Sequence, residues 1–332
     1  MLETLSQFPP SILVIVCALL IERILPTTNA YSPMLFFKAM GLGISNKAHP
    51  KGRQSNPNTQ ITAGLLAIIV ILAPFIFTLV MLMQVVEFPY LIDLFLVIIC
   101  LQATGPRKAA KDMSKAIAQN NKSLAKARIS PWVLRDTSTL SPMGMRKTVL
   151  EMLILRASKE VFAVIFFYLC FGAVTVFTYR ILTMLAQSWN SKIKHFEYFG
   201  KPCQLMCYYL EWLPSRALAF TIMALGQFKL SYNLMARAKF EAKSQAKLLN
   251  RQGINDNSLF ILAATAGALK VSLGGPAIYE GNKIRKPVIG SQYTEQPQSH
   301  HLVEAGKLID KALVVWMLVI ILISIFGLAL TL

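Results

Sequence analysis

The chain has 332 residues, 55% of them hydrophobic and only 15% charged, yet its formal net charge is +18. A mean hydropathy of +0.51 excludes an ordinary soluble domain. A nucleic-acid binder of this charge would be polar, with a stacking platform or reading helix beside its basic face; none is legible here. The apolar residues cluster into long runs, so the composition describes a membrane protein with basic connections.

About 20 helical residues cross a hydrocarbon core of about 30 Å. Residues 8–25 (FPPSILVIVCALLIERIL) predict a first crossing, with Glu22 and Arg23 reaching headgroups from one end. The first ten residues hold Glu3 and no Lys or Arg, the wrong charge for a signal peptide, so this segment is expected in the mature protein. No residue from Gln54 to Val86 is charged, and residues 61–84 predict a second crossing. Residues 88–105 predict a third, with Asp93 inside it. Residues 106–130 read as an amphipathic helix, a break at Asn120–Asn121, then a short helix. The uncharged run Val161 to Tyr179 places a fourth crossing at 161–183. A fifth, at 205–227, is interrupted by Glu211, Pro214 and Arg216. Residues 229–251 predict a basic helix with Leu230, Leu234, Phe240 and Leu248 available for packing. Residues 259–269 are too short to span and fit a packed or re-entrant helix. Residues 274–300 read as an ordered loop and then a mobile stretch holding His300–His301. The uncharged Ala312 to Leu332 is the sixth crossing.

The expected fold is therefore all-α, a polytopic membrane protein with about six transmembrane helices and cytoplasmic helical loops. Its linear divisions are 1–105, 106–160, 161–227, 228–311 and 312–332. Residues 38–60, 104–160 and 226–312 hold 28 of the 34 Lys and Arg residues. Six crossings put all three connections on one face, and the positive-inside rule makes that face cytoplasmic, with the bilayer as partner.

The five cysteines and four histidines form no zinc-like set, so no protein-only metal cluster is expected. Two polar clusters carry the chemistry. In the first, WVLRDTSTL at 132–140 is followed by Lys147, Glu151 and Arg156. Asp136 and Ser138 read either as helix caps or as part of a site in which Arg135 meets a phosphate or carboxylate and Asp136 or Glu151 holds Mg²⁺ or orients an amine. In the second, SLGGPAIYEG at 272–281 is followed by Arg285, Lys286 and Pro287. Its Gly274–Gly275 pair either lets backbone approach an anion or makes a turn. Asp93, Arg180, Glu211 and Arg216 at membrane depth also admit a transport path, against the simpler reading of Arg180 and Arg216 as interface anchors.

Several of these segments, read in order, resemble the CobD/CbiB family of cobalamin biosynthesis proteins. The matching residues are Arg135-Asp136-Thr137-Ser138, Tyr179-Arg180, Tyr198-Phe199-Gly200 and Trp212-Leu213-Pro214-Ser215-Arg216. They continue with Ala263 to Leu269, Leu273-Gly274-Gly275-Pro276, Tyr279, Gly281, Lys286-Pro287 and Gly290. The resemblance implies an enzyme of the bacterial inner membrane that joins adenosylcobyric acid to aminopropanol or its phosphate, with ATP and Mg²⁺. It implies Asp136 and Glu151 as catalytic or Mg²⁺-holding residues. It places Arg135, Thr137, Ser138, Asn257, Gly274, Gly275, Tyr279 and Lys286 against substrate or phosphate, with Arg180, Trp212 and Arg216 as structural or substrate contacts. The chain departs from the family pattern where Ile154-Leu155-Arg156, Lys159-Glu160 and Thr183-Met184-Leu185-Ala186 replace acidic or short polar groups. Those losses support the competing expectation, a non-catalytic signalling or accessory protein on the scaffold shared with AmpE-like membrane proteins. An enzyme requires Arg135, Asp136, Glu151 and the Gly274–Tyr279 loop to converge on one cavity.

Overall fold

The computed structural model describes residues 10–25, 33–50, 56–249, 256–284 and 286–331. Arg285 lies outside the described residues, as does the side chain of Leu248. The architecture is all-α and polytopic, apart from two small β-ribbons. In chain order the helices are α1 (Pro10–Ile24), α2 (Met34–Ala48), α3 (Pro57–Val85), α4 (Pro89–Cys100), α5 (Thr104–Ala118), α6 (Lys122–Ile129) and α7 (Pro142–Ala157). They continue with α8 (Ala163–Ser188), α9 (Lys201–Leu210), α10 (Trp212–Leu225), α11 (Phe228–Leu249), α12 (Asp256–Leu269) and α13 (Ser299–Thr331). The four short strands are β1 (Leu273–Gly274), β2 (Ala277–Tyr279), β3 (Asn282–Ile284) and β4 (Val288–Ile289).

Among the described residues, four helical stretches are long and apolar enough to cross a membrane: Pro57–Val85, Pro89–Ala118, Pro142–Ser188 and Ser299–Phe326. The second is interrupted at 101–103. Large apolar side chains stay exposed along them, including Leu66, Val70 and Phe77 on α3 and Leu322, Ile323 and Phe326 on α13. Exposed apolar faces of that length are matched by lipid. The first and fifth expected crossings take other forms. The helix α1 has 15 residues, and the 205–227 segment is split at Glu211 into α9 and α10. Pro214 then sits in the first turn of a new helix, where its missing N–H costs nothing.

The chain forms two compact units. One comprises Met1–Gly105, Ala163–Glu211 and Ile320–Leu332; the other comprises Pro106–Phe162 and Trp212–Val319. The cut between Glu211 and Trp212 falls inside the stretch that the hydropathy reads as one membrane block.

In the first unit, α8 is the central helix, with α2, α3, α4 and α9 packed on it, and α1 lies on α4. Gly172 (φ 80°) bends α8. Glu22 departs from its expected headgroup position: it is 1% exposed and accepts the N–H groups of Ala103 and Thr104 and the Thr104 hydroxyl, at 3.0, 2.8 and 2.7 Å. The first N–H groups of α5 lack intrahelical partners, and a carboxylate there is more stabilising than one in the headgroups. Asp93 is also engaged, accepting a hydrogen bond from the Tyr168 hydroxyl at 3.1 Å. The Tyr198-Phe199-Gly200 motif is packing. Phe199 is fully buried edge-on to Trp189, and a Cβ on Gly200 would lie 1.7 Å from the Trp189 carbonyl.

In the second unit, α12 is the buried centre, packed against α7, α10, α11, β1 and β4. It is the packed helix expected at 259–269, apolar almost all round because neighbours surround it. Gly267 closes its contact with α11, since a Cβ there would lie 2.3 Å from the Ser231 hydroxyl. The helix α11 packs through Ser231, Leu234, Ala238 and Ala242, while Phe240 is exposed. Phe240 lies about half a turn round the helix from Ser231 and so faces away from α12. The 106–130 reading matches α5 and α6 in form. Asn120 takes φ 53°, and the Asn121 side chain caps α6 by accepting from Leu124 N–H.

Candidate functional site

The site forms in the second unit, where a loop, one face of α7 and the two ribbons meet. Lys147, Thr148 and Glu151 project from neighbouring positions on α7, since residues four apart share a helix face. Arg135 reaches that face from the preceding loop. Its guanidinium donates to Thr148 Oγ1 at 2.9 Å and to Glu151 Oε2 at 2.6 Å. The pair is largely buried, with side-chain exposures of 15% and 8%. The other Glu151 oxygen accepts the Gly274 N–H at 2.8 Å, tying α7 to a residue 123 positions away.

The ribbons give the loop its shape. Leu273 and Gly274 pair with Ile289 and Val288, and Ala277–Tyr279 pairs with Asn282–Ile284. Gly274 (φ 71°) and Gly275 (φ 94°) make the turn, a backbone conformation that favours glycine. The turn reading prevails over the anion-cradle reading. Gly274 N–H is held by Glu151, and Gly275 N–H donates to the Pro287 carbonyl at 2.9 Å. A Cβ on Gly274 would stand 2.4 Å from that same carbonyl, and one on Gly275 would meet Lys147 Nζ at 3.7 Å.

Positive charge therefore comes from side chains. Lys286 donates to the Tyr279 hydroxyl at 2.8 Å with its ammonium 5.2 Å from the ring centre. Burial pushes its pKa below the ordinary lysine range, Arg135 pushes the same way, and Glu151 partly opposes both.

Asp136 is anchored by its backbone, whose N–H donates to the Ile278 carbonyl at 2.8 Å. Its side chain accepts from Ser138 N–H at 2.8 Å. The Ser138 hydroxyl and that N–H hold the carboxyl below its usual pKa. Asp136 and Ser138 thus shape a turn, and the helix cap passes to Ser141, which accepts from Gly144 N–H at 3.1 Å. Thr137 belongs to the same turn, its carbonyl accepting from Leu140 N–H. Beside the turn opens a cleft of about 280 Å³, lined by Arg135, Asp136, Thr139, Leu140, Ser141, Gly144, Pro276, Ala277, Ile278 and Lys283.

Arg135, Asp136, Glu151, Gly274, Gly275, Tyr279 and Lys286 are thus brought together. Lys147, Thr148 and Lys283 join them. Lys147 belongs to the first polar cluster of the sequence, whereas Lys283 carries no local signal. Arg216, Trp212 and Asn257 make a second cluster. The Arg216 guanidinium lies 4.4 Å from the Trp212 ring centre and 4.6 Å from that of Phe260, and it donates to Asn257 Oδ1 at 2.7 Å. Arg180 lies in the first unit, fully buried, donating to Gln102 Oε1 at 3.1 Å. Arg156 pairs with Glu160 at 2.9 Å and covers Trp132.

Glu295, His300 and His301 bring possible ligand atoms within 4.8 Å of one another. His301 does not lie in a mobile stretch; it occupies the first turn of α13. Its Nδ1 accepts Gln298 N–H at 3.0 Å while its Nε2 faces Glu295 at 3.3 Å. Histidine here accepts the N-cap N–H, as the glutamate of a capping box does. In the neutral ring that bond pattern puts the proton on Nε2, which then has no lone pair for a metal.

The fold and site define a polytopic helical membrane protein with a cationic, carboxylate-braced pocket in one unit. The family model described as "CobD/Cbib protein" matches residues 15–309. The chain belongs to the CobD/CbiB family of cobalamin biosynthesis proteins. It is 27% identical over 300 residues to the cobalamin biosynthesis protein CobD of Chromobacterium violaceum, covering 90% of this chain and 92% of that one. It is 30% identical over 232 residues to the CobD of Stutzerimonas stutzeri, covering 70% and 72%. The cobalamin biosynthesis protein CbiB of Salmonella arizonae is 25% identical over 201 residues, 60% of each chain. No solved structure matches.

Proposed function

We propose that the protein is a cobinamide or cobinamide-phosphate synthase of the bacterial inner membrane, with its long basic loops and its site on the cytoplasmic side. The reaction is ATP-dependent amide coupling of adenosylcobyric acid to aminopropanol or its phosphate. The observation that carries this reading is the convergence of Arg135, Asp136, Glu151 and the Gly274–Tyr279 loop beside one cleft, with Lys147 and Lys286 adding charge.

In this reading the corrinoid carboxylate takes the terminal phosphoryl group of ATP, and ADP leaves. The amine nitrogen then bonds to the acyl carbon, the acyl carbon–oxygen bond to phosphate breaks, and Asp136 accepts the amine proton. Arg135, Lys147 and Lys286 neutralise phosphoryl charge and the developing oxyanion, in a cluster already ordered before the reactants arrive. Glu151 acts as the brace that aims Arg135.

The described residues offer no all-protein cage for Mg²⁺, which enters such sites together with nucleotide phosphates. Both Glu151 oxygens already accept hydrogen bonds, so Mg²⁺ would enter with the phosphate oxygens of ATP and water, not on Glu151. The test is amide formation by membranes given ATP, Mg²⁺, adenosylcobyric acid and aminopropanol phosphate, beside an active relative. Product supports the reading. Its absence, with the relative active, leaves the accessory role expected of AmpE-like proteins.

A further inference from the structure

The cleft beside Arg135 has a charge arrangement that the phosphoryl chemistry does not use. Ile278 is its hinge. On one side the Ile278 carbonyl accepts the Asp136 N–H; on the other, Lys283 is the cross-strand partner of Ile278. The backbones of an acidic and a basic residue are therefore both held at Ile278, and both residues line the cleft. Among the described residues they form no ion pair with each other. Arg135, the other cation of the lining, already holds Thr148 and Glu151. Lys283 is exposed on β3, and the phosphoryl chemistry above assigns it no role.

Size narrows the ligand. A volume of about 280 Å³ falls below the roughly 300–1,000 Å³ of drug-sized ligand pockets. The cleft is smaller than a corrinoid. A short amine of a few carbons fits, and a lining with one carboxylate and an exposed lysine suits one that also carries an anion. Leu140, Pro276 and Ala277 supply apolar wall for the carbons between.

We propose that this cleft is the amine subsite of the coupling reaction, with Asp136 receiving the ammonium and Lys283 selecting amines that carry a phosphate. The proposal rests on the synthase reading above and adds where the amine sits and which residue discriminates. Lys283 is a specificity residue and takes no part in phosphoryl transfer.

The experiment is calorimetric titration of the purified full chain in detergent with aminopropanol phosphate, with aminopropanol and with ATP. Lys283→Met and Lys283→Glu are compared with wild type, and thermal denaturation checks that each variant is folded. Wild type is expected to prefer the phosphorylated amine by at least about tenfold, the scale of one charge-assisted contact. Lys283→Met removes that preference, Lys283→Glu reverses it, and ATP affinity stays unchanged in both. Equal binding of the phosphorylated amine by wild type and Lys283→Glu overturns the proposal, as does wild type binding neither amine. Amide formation with an unaltered amine KM in Lys283→Glu defeats the subsite and spares the reaction. Lys283-dependent binding without amide formation does the opposite.

Discussion

Arg135 and Arg180 both stand in segments that match the family pattern, and the two units use them differently. Arg180 is fully enclosed among the helices of the first unit, with Gln102 as a neutral partner. Arg135 is held at a half-open edge of the second unit by a carboxylate that is itself tied to a glycine turn. A buried arginine with helix neighbours secures packing; one beside a cleft, braced from behind, keeps its charge aimed at a ligand. The lesson is that a motif arginine is assigned by what braces it and what it faces. Arg216, layered between Trp212 and Phe260, falls with the packing class.

The sharpest way to break this contrast is to remove the brace. Glu151→Gln keeps the shape and removes the charge that aims Arg135. On the proposed synthase reading, kcat/KM is expected to fall at least about 100-fold, as when a preorganised electrostatic group is lost. Glu151→Ala should also lower stability by about 3 kcal/mol, because it leaves a largely buried guanidinium without its carboxylate. Full activity in Glu151→Gln membranes would move Arg135 into the packing class.

The converse variant lies in the first unit. Gly200→Ala puts a methyl group against the Trp189 carbonyl, and overpacking of this kind costs about 1–3 kcal/mol. Thermal denaturation in detergent should shift down while turnover per folded molecule stays the same. A selective loss of turnover at unchanged stability would mean that the first unit also carries chemistry.

The smallest expected effect is a pH limb. Lys286 has a folded-state pKa below the ordinary 10.5. Its charge therefore costs stability at neutral pH, and that cost is relieved as pH rises through the folded pKa. Phosphate binding has the opposite dependence, because it needs the ammonium. ATP affinity, titrated between about pH 7 and 10, should decline before an exposed lysine would lose its proton. Lys286→Met should bind more weakly throughout and lack that limb. A limb of unchanged position in Lys286→Met would exclude Lys286 from the phosphate contact.

The strengths and failures of the sequence reading have physical causes. Uncharged runs such as Ala312–Leu332 announce a membrane because burying charge in lipid is costly, whatever the neighbours. Asn121 announced a helix start because capping is a local hydrogen bond. The role of Glu22 was not legible, since its partners Ala103 and Thr104 are some 80 residues away. The same limit applied to Phe240: its apolar character suits a core, but which face of α11 meets α12 is set by the distant helix, and Phe240 points the other way.

By itself, the sequence determined the all-α membrane class, the basic connections, the family and most of the residues that gather in the site. These rest on composition, local periodicity and matched order. Tertiary structure decided the rest: that Glu151 braces Arg135, that the Gly274–Gly275 amides are engaged within the fold, and that Asp136 and Lys283 meet at Ile278 and line one cleft. Each depends on contacts between distant segments. A hydrogen bond joining residues 123 apart is set by how helix and ribbon pack, and no local pattern encodes it.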